Sequence, residues 1–324
     1  MEAKTFMKIV DMHCDTVSII AEKRKAGIEV GLYENDFHID IKKMKKGNYI
    51  LQNFAMFIDM EKCQDPSLYC MEMIDCYEQL LLENKEHIAA VYSYSDIEKN
   101  YKSGKLSALL TIEEGGACKG SIDLLKEFYS KGVRMMTLLW NYENELGYPN
   151  TMVIQSGLKE KGLEFIWSME EMGMIVDVSH MSDRCFYDVI KHSKKPFVAS
   201  HSNARVLSPH GRNLTDDMIE KIAMKGGLIG LNFCPYFLDR NTIKHEAKSK
   251  VEYMIEHIKY IINIGGINCL GLGSDFDGME GDLELEDASY LPMLEHKLIE
   301  AGFKSNEIEA IFYKNILNLY KELL

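Results

Sequence analysis

The chain has 324 residues, 46% of them apolar, and a formal net charge of −13. That is enough apolar content for a large core, and the acidic balance excludes nucleic acid or an anionic membrane as the main partner. No stretch reaches the roughly 20 apolar residues that span a bilayer, the N-terminus lacks a continuous apolar signal segment, and the eight cysteines form no CxxC pair, so a cytoplasmic protein with reduced thiols is expected.

Eight apolar or β-branched runs follow one another at 8–13, 49–58, 107–112, 133–139, 174–179, 197–200, 227–233 and 269–273. Helical patterns lie between most of them. Residues 66–84 have helical spacing after Pro66. SIDLLKEFYSKG ends at Gly132, and LKEKGLEFIWSMEEMG ends at Gly173. Thr215 followed by Asp216 and Asp217 marks a helix start, where a capping oxygen and early acids are favoured. KVEYMIEHIKYIINIGG ends in two glycines. Strands alternating with helices imply an α/β fold with a parallel sheet, and eight units imply closure into a (β/α)8 TIM barrel. One domain over 1–324 with C-terminal helices is expected. The runner-up, an open doubly wound sheet, lacks a G-x-G-x-x-G after the first strand.

Several runs end in a residue able to bind a metal. They give His13 and Asp15 in KIVDMHCDT, Glu114 in ALLTIEEGG, His180 in MIVDVSH, His201 in FVASHSNAR and Asp275 in CLGLGSDFDG. Chemistry in a barrel of this kind sits at the carboxyl ends of the strands. His13 and Asp15, two apart on a strand, face the same way, with Asp11 one step deeper. An imidazole beside a carboxylate suits a first-row divalent metal, zinc above all. Glu114, followed by Gly115 and Gly116, is read as a carboxylate bridging two metals, and Glu113 as a solvated loop acid. One metal then takes His13, Asp15 and Glu114, and the other takes Glu114, His180 and His201. Two ions about 3.5–4 Å apart can activate a shared water.

Asp275 is placed to accept and donate the proton, whereas Asp277 reads as a loop-capping acid. Arg212, in SPHGRNLTDD, can hold a carboxylate through two parallel hydrogen bonds. The alternative for Arg212 is a surface pair with Asp216 or Asp217. The histidines at 38, 87, 192, 210, 245, 257 and 296 read as surface residues, with His210 notable for its nearness to Arg212. The twenty methionines read as core fillers.

These segments, taken together over nearly the whole chain, resemble the membrane dipeptidase (renal dipeptidase) family of zinc hydrolases. The resemblance implies a dinuclear zinc site on His13, Asp15, Glu114, His180 and His201, with Arg212 on the substrate carboxylate and Asp275 as the catalytic aspartate. It also suggests a homodimer. Two departures stand out. Animal members of the family carry a histidine near the end of the fourth strand that helps polarise the substrate carbonyl. Here Trp140 stands at that point, and either Asn141 or Tyr142 substitutes for the histidine or its contribution is absent. The aromatic residue after the seventh strand of animal members is replaced by Cys234, with Tyr236 two residues on. The membrane anchor and disulfides of animal members have no counterpart in the sequence.

The expected function is therefore a dinuclear zinc dipeptidase acting on small dipeptides with a free C-terminal carboxylate through a metal-bridging hydroxide. Trp140, Asn141 and Tyr236 are expected to contact substrate. A lactonase or phosphoesterase on the same barrel is the nearest alternative, because fold alone does not define chemistry. A non-catalytic metal-binding barrel is the alternative of another class.

Overall fold

In the computed structural model, residues 6–153, 156–241, 243 and 245–324 are described. Eight strands form a closed parallel ring, numbered here around the barrel. They are β1 (Ile9–Asp11), β2 (Tyr49–Phe57), β3 (Leu106–Glu113), β4 (Val133–Thr137), β5 (Ile175–Asp177), β6 (Val198–Ala199), β7 (Leu228–Leu231) and β8 (Leu270–Leu272). Each pairs with its sequence neighbours, and the ring closes where Asp11 of β1 meets Leu272 of β8. A short additional strand, Ile88–Ala90, pairs with the start of β3. All eight predicted runs coincide with ring strands, so the barrel, and not the open sheet, is the fold.

The helices begin and end where local chemistry asks them to. The helix Pro66–Glu83 starts on Pro66, and Asp65 accepts from the backbone of Ser67 and Leu68. Thr215 accepts from the Met218 N–H at the start of Asp216–Met224. Gly173 closes Glu160–Met172 with φ of 81°, a conformation costly for any residue with a Cβ.

Two apolar layers result. The larger lies between strands and helices and includes Ala108, Leu110 and Ile112 of β3. The smaller fills the barrel and includes Leu109, Met135, Ile175, Val198 and Leu228. The C-terminal helix Asn315–Leu323 contributes Ile316, Leu319, Tyr320 and Leu323 to this inner cluster. Its end lies against Gly173, just ahead of β5, so it closes the amino end of the barrel. Inside, the Asn53 amide donates to the Tyr320 hydroxyl at 2.7 Å. The carboxyl end is left open for chemistry. Among the described residues no helix is long and apolar enough to cross a membrane.

Of the histidines expected on the surface, one is buried and three, His38, His87 and His192, are half-buried. His38 is half-buried beside Asp277. His257, on the helix Val251–Gly265, is buried because it ties two loops together. Its Nδ1 accepts from the Ala204 N–H at 3.1 Å, and its Nε2 donates to the Leu238 carbonyl at 3.1 Å. Burial pushes its pKa down to about 4 from near 6.5, the Leu238 bond opposing and Arg240 adding to the shift. The folded state thus keeps His257 neutral where the unfolded chain would protonate it. The stabilisation is full above pH 6.5 and is lost as pH falls toward 4. Urea unfolding of the metal-free chain at pH 7.5 and pH 5 should show wild type losing about 2 kcal/mol more than His257→Gln. Parallel losses in the two proteins would refute this role.

Candidate metal centre

Alternation along β3 decides which acid enters the site. Leu109 faces the inner cluster, so Thr111 and Glu113 face inward as well. Glu113 Oε1 lies 2.9 Å from His180 Nε2 and 3.4 Å from His201 Nε2. Its Oε2 lies 3.4 Å from His13 Nε2. The carboxylate shared by the histidines is therefore that of Glu113, and the assignment of the bridge to Glu114 is corrected. Glu114 shares the parity of Leu110 and Ile112, and its φ of 117° turns the chain into Gly115–Cys118. Its carboxylate is buried against the N–H groups of Gly116 (2.6 Å) and Trp140 (3.1 Å) and the side-chain amide of Asn144. Burial, against the pull of those donors, lifts its pKa to about 7. Glu114 thus shapes the turn, and neither acid is solvated.

His13 and Asp15 lie past the end of β1, in the turn that leads into the helix Thr16–Lys25. Asp15 occupies the N-cap position without capping, and its Oδ2 sits 3.4 Å from His13 Nε2. Asp11 does not join that face. Met12 belongs to the inner cluster, while Asp11 accepts from the backbone and hydroxyl of Ser274 at 2.9 and 2.6 Å. Asp275 Oδ1 stands 3.9 Å from His13 Nε2, and Asn232 donates to its Oδ2 at 3.0 Å. Gly278 passes directly over this pair. A Cβ there would come within 2.1 Å of Asp15 Oδ2 and 2.7 Å of Asp275 Oδ1.

His180 and His201 follow β5 and β6. Their Nε2 atoms are 3.0 Å apart. His180 reaches the mouth from a left-handed backbone, φ 70°, and Asp275 does so with φ 65°. Such conformations in residues with a Cβ store strain and persist only where their surroundings hold them. Asp177, inside β5, supplies much of that hold. It accepts from Thr137 Oγ1, Ser200 Oγ, Ser200 N and Ser179 N at 2.6–3.0 Å. Ser200 Oγ in turn lies 2.7 Å from His201 Nδ1. Sequence reading missed Asp177, although a lone acid within the apolar run MIVDV was its signal. It also missed Glu113, for which the alternation of Leu109, Thr111 and Glu113 was the signal. Asp277 fits its capping assignment, accepting from the backbone of His38 and Ile39 and from Thr16.

The charges at the site call for a cation. Burial raises Asp15 to about 6 and Asp275 to about 7; Glu113 adds to both and His13 opposes both. Burial also works against ionised Glu113, but His13 foremost, with His180 and His201, holds it well below the usual carboxylate range. Burial and then Arg212 bring His180 down to about 4, leaving the neutral ring a ligand needs. Both ring nitrogens of His13 and Asp15 Oδ1 are buried without a hydrogen-bond partner, which folded proteins seldom tolerate. His13, Glu113 and His201 converge as one potential ligand group, and His13, Asp15 and Asp275 as another. A set of imidazole and carboxylate donors fits zinc.

The centre opens into a cavity of about 630 Å³ that Glu113, Asp275, Trp140 and Cys234 help to line. A second lobe of about 420 Å³ leads to Arg212. Asn141, His180, Tyr236 and Phe237 border both lobes. Trp140, Asn141 and Tyr236 are thus all brought to the mouth. Arg212 is buried, donating to the His201 carbonyl at 3.1 Å and to Ser202 Oγ at 3.3 Å. It makes no surface pair. Asp216 bonds Tyr260, and Asp217 bonds Tyr187 and Lys221.

Comparison with known proteins places the family and the fold. A family model described as membrane dipeptidase matches residues 2–323. An uncharacterized dipeptidase from Schizosaccharomyces pombe is 32% identical over 97% of this chain and 80% of its own. Dipeptidase tcpJ from Claviceps purpurea is 28% identical over 88% of this chain and 69% of its own. A metallo peptidase from Rhodobacter sphaeroides, solved with a phosphinate mimic of the dipeptide L-Ala-D-Ala, shares the fold with a TM-score of 0.92. It is 22% identical and covers 99% of this chain and 100% of its own.

The two adjacent acids should separate cleanly in metal binding. After dialysis against zinc, elemental analysis should find Glu113→Ala depleted and Glu114→Gln close to wild type, since an outer partner usually costs only about 10–100-fold in affinity. Equal depletion in both variants would count against the Glu113 assignment.

Proposed function

The chain belongs to the membrane dipeptidase family and is a metal-dependent hydrolase of dipeptides, and from that premise we propose a mechanism for its own residues. The reading is a dinuclear zinc dipeptidase selective for substrates with a free C-terminal carboxylate. The observation that carries it is one buried carboxylate, Glu113, amid three imidazoles, in a cavity that also leads to a buried guanidinium. His13, Asp15 and Glu113 would hold one ion, and Glu113, His180 and His201 the other. When bound, two such ions supply Lewis acidity and a water acidified toward neutral pH.

The remaining work falls to the protein. Arg212 takes the substrate carboxylate, its planar donors already oriented by the His201 carbonyl and Ser202. Its Nε is buried without a partner, a donor still to be satisfied. This anchor sets the scissile bond beside Glu113 and Asp275. Asp275, which lines the cavity over the centre 3.9 Å from His13 Nε2, is placed to take the proton of the attacking water and pass it to the leaving amine. Asn232 fixes the orientation of that carboxylate. A neutral lactone would make no use of Arg212, which favours a dipeptide over that alternative.

Matched acid and amide substrates test the clamp. Arg212→Ala should lower kcat/KM for dipeptides by roughly tenfold to a few hundredfold, the scale of a charge-assisted pair, and leave dipeptide amides nearly unchanged. Equal loss on both substrates would refute the carboxylate role. Asp275→Asn should keep its zinc, measured by elemental analysis, and lose about two or more orders of magnitude in kcat. Recovery of activity in excess zinc would instead make Asp275 mainly a ligand.

A further inference from the structure

The acid within the apolar run MIVDV, Asp177, heads a line of hydrogen bonds that ends on His201. The donor count decides the direction of that line. Asp177 Oδ2 receives the hydroxyls of Thr137 and Ser200, each at 2.6 Å. Its Oδ1 receives the N–H groups of Ser200 and Ser179 at 2.9 and 3.0 Å. All four are donors, so the carboxylate acts only as an acceptor. Ser200 has one hydroxyl proton. Ser179 Oγ, at 3.3 Å, competes for it weakly against a carboxylate oxygen at 2.6 Å. The same Oγ lies 2.7 Å from His201 Nδ1, and both residues are buried. With its proton directed to Asp177, the hydroxyl accepts from the ring, and the proton of neutral His201 sits on Nδ1. Nε2 keeps its lone pair and faces Glu113 Oε1 at 3.4 Å.

The other two imidazoles of the centre are backed differently. His180 Nδ1 lies 3.3 Å from the uncharged Asn141 amide, and His13 Nδ1 is buried without a hydrogen-bond partner. We infer that Asp177 is a positioning residue that acts through Ser200 on His201, holding the ring in the tautomer that offers Nε2 to a metal and making that nitrogen a stronger donor. The inference rests on the dinuclear reading. It goes beyond the role of Asp177 as a strut between strands, which the bonds from Thr137, Ser179 N and Ser200 N maintain without the Ser200 hydroxyl. An acceptor behind the N–H of a ligating imidazole fixes its orientation and raises its basicity. The effect falls on the ion held by Glu113, His180 and His201, and the ion held by His13 and Asp15 is the internal control.

Ser200→Ala separates the relay from the strut, because it removes the hydroxyl and leaves Asp177 its other three donors. Asp177→Asn reverses the line. The two N–H groups keep the amide oxygen on their side, so its NH2 meets the Ser200 hydroxyl. That hydroxyl then donates to His201 Nδ1, and the ring proton moves to Nε2, where it blocks ligation. Zinc affinities are measured on the metal-free chain by competition with a chromophoric chelator. The thermal midpoint of the metal-free chain and the visible spectrum of the cobalt(II)-loaded chain are recorded beside them. In Ser200→Ala the midpoint should stay close to wild type, one zinc should bind as before, and the other should bind about 10–100-fold more weakly. The cobalt bands of that one position should shift. Asp177→Asn should weaken the same zinc at least as far. A Ser200→Ala chain that binds both zincs as wild type does, with an unchanged cobalt spectrum, would reduce Asp177 to a strut and overturn the inference. Equal weakening of both zincs in Ser200→Ala would overturn it as well. A wild type that takes up a single zinc would instead overturn the dinuclear reading, before any variant is compared.

Discussion

A single buried carboxylate organises the molecule. Glu113 touches imidazoles carried beyond β1, β5 and β6, three strands spread around the ring. No open sheet could bring those chain segments to one point. Closure between β1 and β8 also places Asp275 beside His13. An isolated carboxylate at this depth would take up a proton to avoid the desolvation cost. The histidines keep Glu113 ionised, and the surplus acids Asp15 and Asp275 create the demand for a cation.

Holding such a centre costs the backbone local comfort. Glu114, His180, Asp275 and Asp277 all have positive φ and all lie at the mouth. Hydrogen-bond hubs beneath them hold these conformations. Asp177 ties β4, β5 and β6 together under His180 and His201, and Asp11 ties β1 to Ser274 under His13 and Asp275. Glu114 does the same for the turns after β3 and β4 through Gly116, Trp140 and Asn144. At the other end of the barrel, Tyr320 and its helix seal the interior with apolar side chains. The strained, polar end is thereby set on a packed base.

The mouth has two lobes of opposite charge. The lobe over Glu113 and Asp275 is rich in carboxylates, while the adjoining lobe ends at the guanidinium of Arg212. Burial gives Arg212 reach in charge that a surface arginine would lose to solvent. Its bonds to the His201 carbonyl and Ser202 couple its position to the segment that follows β6. The buried guanidinium and the His201 imidazole thus share one stretch of backbone.

Much of this was written in the chain order. Eight apolar runs, each ended by turn chemistry, define the strands. His13, Asp15, His180, His201, Asp275 and Arg212 follow those runs and are all found at the mouth. Helix boundaries at Pro66, Gly173 and Thr215 needed only local rules. The choice between Glu113 and Glu114 needed more. Adjacent residues on a strand face opposite ways, so the answer depends on which parity looks into the barrel, and only packing of Leu109 inside and Leu110 outside settles it. Local spacing also misplaced Asp11, because β1 ends before His13 and the alternation does not carry through the turn. The support roles of Asp177, Asn232 and His257 draw on Ser200, Asp275 and Ala204, which lie 23, 43 and 53 residues away and come near only once strands and loops have packed.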